Sequence, residues 1–360
     1  MNGTVTWAGL DVHARSIHAA AVDARSGELV RQRFGGEAEA VVAWLAELPG
    51  SLRACYKAGP TGHGLARACA AAGLCCEVIA PSKTPRASAD RIKSDRKDAE
   101  LLVRLLMAGS LTPVRVAAPE LEAVRDLVRV RAGLREDLSR ERQRTSKMLL
   151  RYGRVYPGRS CWTRALRLWL ADQRWPFPAQ ELAWCDHPAA VDGLTVRRAA
   201  IDERLSLLMH ADYLRPTVAR LRCFRGVDSL TALALHVQVG DWARFARPAQ
   251  LSAWLGPVPT LSQSGGSLRR GGITKTGSRH ARRLLVESAW HFARPPRLGV
   301  TLDRREEGQP VHILQIAWRA QCRLHRLSMR LRGVGKPANV VTVADARELA
   351  CLLWAAAVAA

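Results

Sequence analysis

Asp11 stands at the end of the apolar segment TVTWAGLDV, just before the turn VHARS, where a carboxylate can point from a sheet into a cleft. Asp95 and Asp98, in KSDRKDAE, are three residues apart at a predicted helix start, which puts both carboxylates on one face within reach of a single ion. An acidic pair at such a place is also a common helix cap. One carboxylate from a strand and two from a helix fit a Mg²⁺ site for phosphoryl transfer, where hard oxygen ligands hold a phosphate and stabilise its developing charge. His13, His18 and His63 lie near these acids, but no metal-ligand spacing links them, and core or surface roles are expected.

A second chemistry-bearing stretch is TLSQSGGSLRRGGITKTGSRHARRLL, residues 260–285. Its glycines let the backbone approach a ligand closely, and Arg269, Arg270, Lys275, Arg279, Arg282 and Arg283 surround several hydroxyls. Such a loop suits a phosphate backbone. An exposed serine among cations can also attack phosphorus. Spacing alone favours plain nucleic-acid binding and does not rank Ser262, Ser264, Ser267 and Ser278.

These residues need elements to position them. Thr4 to Phe34 reads as three short strands separated by turns, a β-meander. A helix at Glu37–Leu48, a strand at Leu52–Lys57, a helix after Gly59-Pro60, a strand at Cys76–Ala80 and a helix over Asp95–Met107 follow, predicting a mixed sheet with helices on its faces, closing near residue 112. Pro119 to Tyr152 has the spacing of a long amphipathic helix, either a coiled-coil stalk or a spacer packed on its own domain, with heptad slips around Gly133 and Arg142. Residues 153–185 stay unassigned. The stretch 188–222 and the chain from Cys223 onward read as helical, apart from a loop at Thr260–Gly277.

Composition narrows the partners. Lys and Arg number 55 against 32 Asp and Glu, for a net charge of +23, and only seven of the 55 are lysines. That excess implies a polyanion, and arginine's planar fork suits phosphate and guanine edges. Nine cysteines without a C-x-x-C pair argue against a disulfide framework or zinc knuckle and fit a reducing cytoplasm. The start lacks the apolar region of a signal peptide and no run is long enough to span a bilayer, so a soluble, cytoplasmic protein without a membrane partner is expected.

Taken together, GLDVHARSIHAAAVD, YKAGPTGHGLARA, APSKTPRASADRIKSDRKDAELLVRLL and the long segment from Leu230 to Trp290, with the tail ARELACLLWAA, resemble insertion-sequence transposases of the DEDD type, the family numbered one hundred and ten. The resemblance runs in order along nearly the whole chain. It implies an α/β N-terminal domain of RNase H or RuvC-like fold (1–112), a helical coiled-coil spacer (113–221), a mostly α C-terminal serine domain (222–335) and a tail (336–360). It also implies DNA strand exchange through a covalent phosphoserine, assisted by Mg²⁺ and guided by a structured bridge RNA, in a dimer or tetramer whose composite sites draw on different subunits. Residue by residue, Asp11, Asp95 and Asp98 match the family's aspartates and Ser264 its nucleophile, while Arg269, Arg270, Lys275 and Arg279 are expected to contact nucleic acid.

Three positions depart from the pattern. The family's glutamate falls on Lys57, Phe224–Asp228 replaces a Pro-Gly-Ile-Gly turn, and Asp345 interrupts the apolar tail motif. A lysine beside the acids would repel a cation that the missing carboxylate would attract. The alternatives are therefore a catalytically impaired nucleic-acid-binding relic, an active enzyme in which Lys57 points away from the metal, and a metal-dependent junction nuclease that forms no serine adduct.

Overall fold

The computed structural model describes residues 5–85, 94–159 and 162–359. The chain divides into two compact units, 1–118 and 119–360.

The first unit holds a six-stranded mixed sheet in the order β3-β2-β1-β4-β5-β6. The expected meander is present: β1 (Val5–Val12), β2 (Ile17–Asp23) and β3 (Leu29–Phe34) pair antiparallel in sequence. After α1 (Ala38–Glu47), β4 (Ser51–Lys57) returns parallel to β1, and after α2 (Gly64–Ala71), β5 (Cys76–Ile79) lies parallel to β4. Then α3 (Asp95–Met107) is followed by a two-residue edge strand, β6 (Pro113–Val114), which carries the unit past the boundary expected near 112.

Alternation along β1 assigns its two faces. Ala8 and Leu10 pack with Val41, Leu45, Leu65 and Cys69 of α1 and α2, leaving Gly9 and Asp11 on the side covered by α3. A Cβ on Gly9 would lie 2.4 Å from the Ala99 carbonyl oxygen, so only glycine lets α3 approach this closely. That close approach sets the first turn of α3, with Asp95 and Asp98, beside the end of β1.

The second unit begins with α4 (Pro119–Arg151), which packs against α6 (Pro178–Leu208); α5 (Arg164–Ala171) lies between them in sequence. Pairs Arg131–Asp202 and Glu141–His187 show that the two long helices run antiparallel within one chain. The buried positions Leu134, Leu138, Glu141, Thr145 and Met148 keep a four-three spacing, so the seam runs unbroken through the polar Glu141 and Thr145, and the slip expected around Arg142 is absent. Glu141 is tolerated because His187 Nδ1 lies 2.6 Å from one carboxylate oxygen and Arg144 donates to the other at 2.8 Å. Burial alone would raise that carboxyl, but these hydrogen bonds outweigh it and hold it below the usual carboxylate value. The unassigned stretch folds around Trp175 and Trp184, which bury against Met148, Leu149, Leu166 and Leu170.

The rest is α7 (Arg215–Leu221), α8 (Ser229–Val239), α9 (Pro248–Leu255), a hairpin of β7 (Pro259–Ser264) and β8 (Ser267–Ile273), α10 (Arg279–Ala289), α11 (Val300–Glu306), α12 (Val311–Gly333) and α13 (Ala338–Val358). The expected loop at 260–277 is thus largely a β-hairpin. Its core gathers α8, α10, α12 and α13 around Phe224, Leu233, Leu285, Phe292 and Leu349. The divergent turn at 224–228 is well built: Phe224 and Val227 are fully buried, and the Asp228 carboxylate caps α8 by accepting from Thr231 N at 2.7 Å. Asp345 is 1% exposed on α13, and its Oδ1 has no hydrogen-bond partner. Among the described residues, no helix is long and apolar enough to cross a membrane.

Candidate active site

At the C-terminal end of β1, Asp11 is 8% exposed. Its cross-strand partner on β2 is His18, so both side chains share the α3 face. His13 Nε2 lies 3.2 Å from Asp11 Oδ2 and 3.6 Å from Asp95 Oδ1, and His18 Nε2 lies 3.8 Å from Asp95 Oδ2. Ser94 starts α3 by accepting a hydrogen bond from Lys97 N. The caps of α3 are thereby supplied by Ser94, freeing Asp95 to face the strand ends.

Asp11, His13 and Asp95 each offer one ligand atom, and the three atoms lie within 4.8 Å of one another. Two carboxylates and an imidazole close to this spacing suit a divalent cation, with room for the waters such an ion keeps. His13 is exposed, in keeping with the surface role expected for it, and its ring also lies against both aspartates. The detectable signal was local: Asp11 and His13 flank the strand end two residues apart, and β2 returns His18 opposite Asp11.

Asp98 is engaged differently. It is 4% exposed, and Lys57 Nζ lies 3.7 Å from its Oδ1. Lys57 follows Tyr56, the β4 partner of Leu10, so alternation turns the lysine to the face that carries Asp11. Lys57 therefore lies on the acids' face of the sheet, at the position where the resemblance expects a carboxylate, and its ammonium pairs with Asp98.

In the second unit, β7 and β8 pair Ser264 with Ser267, Gln263 with Leu268, Ser262 with Arg269 and Leu261 with Arg270. Gly265 takes a left-handed conformation (φ +54°), and with Gly266 it makes the tight turn between them. Ser262, Ser264, Ser267 and Arg269 consequently share one face, and Arg270 belongs to the other. The four serines now differ. Ser278 caps α10 by accepting from Ala281 N, and Ser267 Oγ donates to the Ser264 carbonyl at 3.2 Å. Ser262 and Ser264 are exposed and make no side-chain hydrogen bond among the described residues. Lys275 is exposed, with a left-handed backbone (φ +57°), and Arg279 opens α10.

Known proteins match along this whole arrangement. A family model described as a DEDD transposase of the IS110 type matches residues 8–153, and the model for transposases of the IS116/IS110/IS902 family matches residues 218–298. The chain is 38% identical to the protein named transposase y4qE of Sinorhizobium fredii, over 97% of this chain and 87% of that one. It is 31% identical to the transposase for insertion sequence element IS1533 of Leptospira borgpetersenii, over 89% of this chain and 94% of the relative. With both of its candidate chemical regions inside the matched segments, the chain belongs to the IS110-type family of DEDD insertion-sequence transposases and is a DNA transposase.

Proposed function

We propose that this transposase exchanges DNA strands through a covalent bond between Ser264 and a DNA phosphate. The observation that carries the reading is the hairpin: Ser264 borders an exposed turn, its side chain makes no hydrogen bond among the described residues, and Arg269 is on the same face. Ser264 Oγ attacks phosphorus, the Oγ–P bond forms, and the P–O bond to the departing deoxyribose oxygen breaks. The serine proton passes to solvent or a base, and the leaving oxygen takes up a proton. Attack by the hydroxyl of a second strand reverses these changes and frees the serine. Arg269 and neighbouring cations hold the non-bridging oxygens as charge grows on them.

The N-terminal unit serves as an RNase H or RuvC-like domain, a reading supported by its mixed sheet order and by acids at adjacent strand and helix ends. Asp11 and Asp95, with His13, would hold a divalent cation, Mg²⁺ in this reading, which when bound draws phosphate oxygens and offsets their charge. A structured guide RNA and a dimer or tetramer complete the proposal, in keeping with the charge of +23.

A second reading, an impaired copy that binds nucleic acid without recombining, is favoured by one observation, the Lys57–Asp98 pair. The test is recombination of element-end DNA by the wild type and by Ser264→Ala, with denaturing gels for a protein–DNA adduct. Adduct and exchange lost only in the variant support the serine mechanism. Cleavage without any adduct supports a junction nuclease, and binding without chemistry supports the impaired copy.

A further inference from the structure

On the side of the hairpin away from Ser264, a cleft of about 1030 Å³ lies between β8, α12 and α13. Six cations line it, Arg270, Arg323, Arg326, Arg330, Lys336 and Arg347, and among its lining residues the one carboxylate is Glu348. That acid is already engaged: Arg323 donates to it at 2.9 and 3.1 Å, and Arg347 lies 3.6 Å away. Arg270, Arg326, Arg330 and Lys336 are exposed and have no ion-pair partner among the described residues. Folding therefore gathers a cluster of like charges that only an external anion relieves.

The geometry selects the anion. Arg323, Arg326 and Arg330 step by three and four residues along α12, so they form one row about 10 Å long at a rise of 1.5 Å per residue. A strand of duplex DNA advances about 3.4 Å along the duplex axis per phosphate, so a row laid along that axis spans about three phosphate steps. On the opposite wall a Cβ on Gly272 would meet nothing within 4 Å, which leaves the backbone of β8 open to a close approach there. Arg270, on the hairpin face opposite Ser264, points the cleft to a stretch of backbone other than the phosphate under attack.

We infer that this cleft grips the phosphate backbone of the DNA substrate at a distance from the reacting phosphate, fixing the position of the strand that the hairpin presents to Ser264. The inference rests on the reading of this chain as a serine-using transposase only for the purpose of the grip. The contact itself needs only that the chain binds DNA. Because phosphates are held by charge, the contact is independent of sequence.

Full-length protein is titrated by fluorescence anisotropy against a 40-base-pair duplex DNA and, separately, an RNA hairpin of similar phosphate number, from 50 to 300 mM NaCl. The triple variant R326A/R330A/K336A should bind the duplex at least about tenfold more weakly at 100 mM, with the salt slope reduced by about two to three. R326K/R330K should keep near wild-type affinity and slope, and far-ultraviolet circular dichroism should show the triple variant folded, since the changed side chains are exposed. An unchanged duplex slope in the folded triple variant overturns the assignment, as does a loss confined to the RNA probe. Ser264→Ala is measured alongside. An adduct that persists there refutes the serine mechanism while leaving the slope comparison intact, so the two failures are read separately.

Discussion

Lys57 Nζ and Asp98 Oδ1 lie 3.7 Å apart at the end of β4 and the first turn of α3, with Asp98 almost fully buried. The pair sets an ammonium on the sheet face that carries Asp11, where it opposes a cation bound there and engages the third aspartate. Lys57→Glu should therefore lower the metal concentration needed for half-maximal activity by roughly fivefold, an effect of about 1 kcal/mol after solvent screening of the partly exposed lysine. Lys57→Met, which removes the charge without adding a ligand, should fall between the two. Equal metal requirements in all three proteins would contradict this account of the site. With His13 as a nitrogen ligand in the proposed site, Mn²⁺ should support activity at least as well as Mg²⁺.

The hairpin register separates two adjacent arginines. Arg269 shares the Ser264 face and Arg270 does not. Arg269→Ala should reduce strand exchange by about a hundredfold, as loss of a charge-stabilising contact does. Arg270→Ala should mainly weaken DNA binding and lower its salt slope by about one. Rates of exchange under saturating DNA distinguish the two, and equal loss in both would mean that the hairpin register does not separate their roles.

Asp345 carries a pH prediction. Burial pushes its carboxyl up to about 6 from an unfolded value near 4, against the opposing pull of Ser328 and Arg332. The folded state binds the proton more tightly than the unfolded one, so stability is highest below pH 4 with respect to this group and falls as pH rises through 6. Asp345→Asn removes this dependence. Relative to wild type, the variant should gain about 2–3 kcal/mol at pH 8 compared with pH 4, read from urea midpoints. A constant difference across that range would refute it.

Gly9 is the contact that sets α3 against the sheet. Gly9→Ala places a methyl 2.4 Å from the Ala99 carbonyl oxygen and 2.8 Å from the Val103 nitrogen. The variant should lose about 1–3 kcal/mol and shift the first turn of α3 from Asp11, so that metal-dependent activity falls more than stability alone explains. Thermal melting and metal titration on one preparation check both parts.

Much of the N-terminal fold was readable from the chain. The alternation in TWAGLDV and IHAAAVD, with turns between, marked β1 and β2, and the spacing after Ser94 marked α3. The hairpin has the sequence pattern of a loop because Leu261 and Gln263 alternate with Ser262 and Ser264 without producing an apolar face, since both faces meet solvent. Residues 153–185 resisted assignment because Trp175 and Trp184 find their partners on α4, far away in sequence. The pairing of His13 with Asp11 at the strand end is local, but Asp95 joins them only when Gly9 admits α3, a tertiary contact that spacing does not encode. Glu141 is the converse, a polar residue next to the slip expected around Arg142 that proves to be a paired member of the seam.

The central claim, that Ser264 becomes covalently joined to DNA, is tested most directly by trapping that bond. Wild-type protein incubated with end-labelled element DNA, divalent metal and guide RNA is denatured and digested, and the modified peptide is identified by mass spectrometry. A phosphodiester-linked nucleotide on Ser264, absent from Ser264→Ala, is the predicted result. An adduct on Ser262 or Ser267, or an undiminished adduct in the Ser264→Ala protein, contradicts it.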